Sequence, residues 1–147
     1  MSPKEVDLVQ RTWRAVLPVG DTAAEFFYGK LFSLDSSVQS LFHDDAREQG
    51  RNLTAMISVV VGSLSRPERI QLAVRQLGQR HASYGVKPQH YELARIALLW
   101  MLEQVLEEAF TPPVRAAWAS VYDLFATTMQ DAGTAFSGGG AGGFSRA

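Results

Sequence analysis

Residues 70–91 read IQLAVRQLGQRHASYGVKPQHY. Ile70, Val74, Leu77 and His81 follow one another at steps of four, three and four, so on a helical register a histidine finishes an apolar stripe. Gly85 supplies a turn residue, and Pro88 suits the first turn of the next helix. An imidazole at the end of an apolar stripe faces a greasy interior. There a neutral ring nitrogen either takes a hydrogen-bond partner or ligates a metal.

Working outward, helical patterning continues on both sides. Ser2-Pro3-Lys4-Glu5 is a capping box with proline at the first helical position, and it opens a helix carrying Val6, Val9, Trp13, Val16 and Leu17 that ends at Pro18. Asp21 is expected to cap a second helix through Ala23, Phe26, Phe27 and Leu31, and Ser36 or Ser37 to open a short third one closing on Leu41-Phe42. A further helix is expected from near Arg47, with Gln49, Leu53, Met56, Ile57, Val60 and Leu64 on one face. After the break at Ser65-Arg66-Pro67 comes the histidine-bearing helix. A long one from about His90 to Phe110 should turn Leu93, Ile96, Ala97, Trp100, Met101 and Leu106 inward. Thr111-Pro112-Pro113 launches the last, through Ala117, Val121, Leu124, Phe125 and Met129. Period-two alternation bounded by hairpin turns is not evident, so the fold class is all-α with seven or eight helices. Residues 1–132 are expected to form one domain, and the Gly-rich stretch 133–147 a flexible tail.

Composition narrows the function. The chain has 147 residues, enough for one self-sufficient core. Fourteen basic against fifteen acidic side chains leave a net charge of −1, which predicts neither nucleic-acid nor membrane binding. Cysteine is absent, which excludes thiolate metal sites and disulfide scaffolds. The longest apolar run, Ile96–Leu102, is too short to span a bilayer, and MSPKEVDL lacks a signal pattern. A cytoplasmic, single-domain protein is the expectation. Phosphate loops, nucleophile elbows and Cys/His clusters are missing, and Glu107-Glu108 point to different helical faces.

Five blocks in order, AAEFFYGKLF (23–32), SLF (40–42), QGRNL (49–53), RHASYGVKPQHY (80–91) and AAWASVYDLF (116–125), give the chain a specific likeness. Over about residues 2–130 it resembles bacterial single-domain haemoglobins, the globins of the flavohaemoglobin type. The resemblance implies a globin fold around haem b, with His81 as the proximal iron ligand. It implies that Phe42 packs flat on the haem, with Val86, Leu53 and Tyr91 also contacting the cofactor. Tyr28 and Gln49 become the distal polar pair, with Leu53 beside them. Such types suit the task, because neutral imidazole is a strong axial ligand and the distal donors can hydrogen-bond the partial negative charge on O₂. In that family a Tyr at the place of Tyr91 helps a Glu of the last helix hydrogen-bond the proximal histidine. Here that Glu position falls on or next to Gly133, and the nearest acid is Asp131. His90 is expected to be structural or solvent-facing, and His43 exposed.

The implied function is reversible binding of O₂, with NO and CO as further gases, by a monomer or weak homodimer. The alternative is a nitric oxide dioxygenase served by a separate reductase, because the family's reductase domain has no counterpart in this sequence. A third class, a haem-free interaction module, fits the inward His81 and the polar distal pair poorly.

Overall fold

The computed structural model describes residues 1–41, 45–66, 68–69, 71–72, 74–75 and 87–138, without the side chains of 41 and 131–138. Among them run the α-helices α1 (Pro3–Val16), α2 (Gly20–Leu34), α3 (Ala46–Ser63), α4 (Pro88–Leu106) and α5 (Pro112–Gly138), and residues 68–69, 71–72 and 74–75 are helical as well. Three 3-10 segments, Leu17–Val19, Ser36–Leu41 and Glu107–Ala109, join or extend them. No strand occurs among the described residues.

Local chemistry explains most of the boundaries. The Ser2 hydroxyl accepts from the Glu5 N–H at 3.1 Å while the Glu5 carboxylate accepts from the Ser2 N–H at 3.0 Å, closing the expected capping box. Asp21 is not a cap. Pro18 is absorbed in the 3-10 turn Leu17–Val19, which runs straight into α2, so Gly20 is already helical and Asp21 lies in the first turn. The 3-10 segment after α2 is fastened by Asp35, whose Oδ1 accepts from the Ser37 N–H and hydroxyl. Asp45 caps α3 through the Glu48 N–H. At the end of α4, Glu107 takes φ 52°, a conformation that stops the helix. The backbone of α5 stays helical through Gly138, so the stretch from 133, read from the sequence as tail, begins as helix.

α4 is the central helix, packed on α2, α5 and α1. Leu98, Leu99 and Leu102 are buried along it together with Ala97, Met101 and Leu106, whereas Ile96, expected inward, is 40% exposed. A helix contacted from several sides has no single polar face, so its periodicity points nowhere in particular. Leu124, also expected inward, is exposed on α5. The partners of α1 are set by its polar atoms as well as its apolar stripe. Trp13 and Trp118 meet edge to face at 6.0 Å, Trp118 Nε1 donates to Thr12 Oγ1 at 2.8 Å, and Trp13 Nε1 donates to Ser58 Oγ at 2.9 Å. These bonds satisfy two buried indole N–H groups and fix α1 against α5 and α3.

α3 packs tightly on α2 where Gly50 faces Ala24. A Cβ on Gly50 would stand 3.1 Å from the Ala24 Cβ. Gly50→Val is therefore expected to lower stability by about 1–3 kcal/mol through overpacking, read as a shifted urea midpoint at unchanged slope.

Candidate functional site

The close crossing at Gly50 brings the neighbouring residue into reach of α2. One turn beyond Ala24, the Tyr28 hydroxyl donates to the Gln49 carbonyl at 3.3 Å. Tyr28 is held on its own helix by an edge-to-face contact with Phe27 at 5.1 Å and a stacked one with Phe32 at 5.8 Å.

This phenol lines a cavity of about 190 Å³ between four helices, open to solvent on one side. Phe27, Tyr28 and Leu31 come from α2, Val38 from the 3-10 segment after it, and Leu53, Met56, Ile57 and Val60 from α3. His90, Tyr91, Ala94 and Leu98 of α4 face them, with Trp118, Val121, Tyr122, Phe125, Ala126 and Met129 of α5. Protein cores rarely hold gaps much larger than a water molecule, so a cavity of this size in the middle of the core marks a site for an apolar guest.

Of the site residues expected from the sequence, Tyr28, Leu53 and Tyr91 meet on these walls. Gln49 is half-buried beside the wall, tied to it through its carbonyl. Phe42, His81 and Val86 lie outside the described residues, as does His43, and the side chain of Asp131 is likewise not described. His90, expected to be structural or solvent-facing, takes the structural role and also reaches the cavity. It is half-buried on the cavity wall, and its Nδ1 accepts from the Lys87 N–H at 2.9 Å, closing the first turn of α4. Tyr122 was missed by the sequence reading, although its place four residues after Trp118 puts it on the same helical face. Its hydroxyl donates to the Tyr91 carbonyl at 2.7 Å. One turn further along α4, Arg95 pairs with Asp123 at 2.8 Å, so α4 is fastened to α5 beside the cavity.

Burial leaves three phenols reluctant to ionise. It raises Tyr28 and Tyr122 well above the usual range, with the neighbouring Tyr91 adding to the effect on Tyr122, and it pushes Tyr91 up to about 12. In the unfolded chain phenols titrate near pH 10, so above that pH the unfolded state loses protons that the native state keeps. Stability is therefore complete below about pH 10 and falls as pH rises toward 12. Absorbance at 295 nm should show these phenols titrating late and together with alkaline unfolding. Titration of all the tyrosines near pH 10 with the helix content intact would contradict their burial.

The described residues form an all-helical fold with an apolar cavity between α2, α3, α4 and α5. The globin family model matches residues 25–129, and the chain belongs to the globin family. It is 27% identical over 133 residues to a flavohemoprotein of Xylella fastidiosa, covering 88% of this chain and 33% of that protein. A Bacillus subtilis flavohemoprotein is 26% identical over 126 residues, covering 84% and 32%. The chain thus spans about a third of the length of these relatives. Neuroglobin of Tetraodon nigroviridis is 24% identical, with 88% of this chain and 90% of that one covered. Among solved structures, an engineered carbene transferase from Rhodothermus marinus shares the fold with a TM-score of 0.83 at 23% identity, over 94% of this chain and 96% of its own.

Proposed function

We propose that the cavity takes haem b and that the protein binds O₂ reversibly, with NO and CO as further ligands. The observation that carries this reading is the meeting of Tyr28, Leu53 and Tyr91, from three different helices, on one large apolar cavity. The residues fit the group: a flat macrocycle with apolar faces needs aliphatic and aromatic walls, which α2 to α5 provide. Haem supplies an iron with a coordination position open to a diatomic gas. His81 would hold the iron through a ring nitrogen, and Phe42 and Val86 would extend the apolar contact. Leu53 excludes water from the gas-binding side, where the Tyr28 hydroxyl and the Gln49 amide offer hydrogen-bond donors.

The test is the visible spectrum of the purified protein as isolated, after dithionite, and then with CO or O₂. Equimolar haem and a shifted Soret band with each gas are expected. Protein that takes up no haem during expression or on reconstitution would overturn the reading. Similarity to flavohemoproteins favours a second reading, a nitric oxide dioxygenase that draws electrons from a separate reductase. Nitrate formation from NO in the presence of O₂ and a reductase would select it.

A further inference from the structure

We propose that His90 holds the anionic edge of the bound haem through its Nε2–H. This rests on the reading of the cavity as a haem site. Among the described wall residues His90 is the only imidazole, set in a lining that is otherwise aliphatic and aromatic. Its Nδ1 accepts the Lys87 N–H at 2.9 Å, and a nitrogen that accepts carries no proton, so the neutral ring has its proton on Nε2. The same bond fixes the orientation of the ring, because Nδ1 is held toward the backbone that starts α4. The ring is half-buried, and Lys87, Pro88 and Gln89 just before it are exposed, so this end of α4 meets solvent.

Haem is apolar over most of its area but carries two carboxylates on one edge, and that edge belongs where a cavity meets water. An oriented N–H on a half-buried wall residue is the donor such a carboxylate requires. Asp35 is the competing acceptor. Ser37 holds its carboxyl low by hydrogen bonds from hydroxyl and backbone N–H, and His90 is near enough to contribute a smaller lowering. Among the described residues Asp35 hydrogen-bonds Ser37 and not His90, whose hydrogen bond to protein is the one its Nδ1 accepts from Lys87, so Nε2–H is not committed to Asp35.

Two substitutions separate the functions of the two nitrogens. Asparagine at 90 keeps a short acceptor for the Lys87 N–H but loses the reach of Nε2, whereas glutamine keeps a donor at the longer reach. Wild type, His90→Asn and His90→Gln would each be loaded with haem or with iron protoporphyrin IX dimethyl ester, whose carboxylates are capped. Release to an excess of a haem-scavenging apoglobin is then timed. His90→Asn should release haem roughly threefold to tenfold faster than wild type, less than a fully buried charged hydrogen bond would give, because the edge is wet. His90→Gln should stay near wild type, and the diester should leave all three proteins at one rate. Equal acceleration of haem and diester by His90→Asn, or no acceleration of either, would overturn the proposal. If wild type binds neither porphyrin, the haem reading itself fails and this one with it.

Discussion

His81→Ala protein is expected to fold and to emerge from expression without haem. Loss of a residue that merely supports a metal ligand weakens binding by about 10–100-fold, and loss of the ligand itself should exceed that. Only the apolar walls would then retain the cofactor, so an absorbance titration should show affinity reduced on the order of a hundredfold or more. Circular dichroism checks that helix content is kept, and added imidazole should restore part of the haem binding by supplying the missing nitrogen. His43→Ala, at a position expected to be exposed, should keep its haem. Full haem content with an unchanged ferrous spectrum in His81→Ala would place the axial ligand elsewhere.

On the gas side, Tyr28→Phe should speed release of O₂ with little effect on CO. A hydrogen bond to a strongly polarised acceptor contributes about 1.5–3 kcal/mol, which corresponds to roughly tenfold to a hundredfold in rate. The structure favours the lower end. The phenol donates to the Gln49 carbonyl at 3.3 Å, so turning it to a gas exchanges one hydrogen bond for another rather than adding one. Gln49→Leu leaves the backbone carbonyl in place and keeps Tyr28 anchored, so its effect reports the side-chain amide alone. CO carries less negative charge on its outer atom and gains less from either donor. Flash photolysis and stopped-flow mixing measure both gases. Equal acceleration of O₂ and CO would mean that the substitutions had widened access instead of removing donors.

Much of the frame was legible because it is written locally. Ser2 and Glu5 close a cap across three residues, and the stripe Val9, Trp13, Val16 repeats at helical spacing, so neither needs a distant partner to be recognised. The likeness of the five sequence blocks assigned Tyr28 and Leu53 to the gas-binding side and Tyr91 to contact with the cofactor, and all three line the cavity. The buried side of α4 was harder to read. Ile96 and Leu98 are equally apolar, and which of them is covered depends on where α1, α2 and α5 lie against the helix.

The amino-acid order alone determined the all-helical class and most of the main helix starts, because caps, prolines and apolar period act within a turn or two. Tertiary structure decided the rest. It set Gly50 tightly against Ala24, hung the Tyr28 hydroxyl on the Gln49 carbonyl, and brought His90, read as structural or solvent-facing, onto the cavity wall. These contacts join residues far apart in the chain, or set the pose of a whole helix. Their physical basis is steric closeness and hydrogen-bond reach between packed elements, which no local pattern encodes.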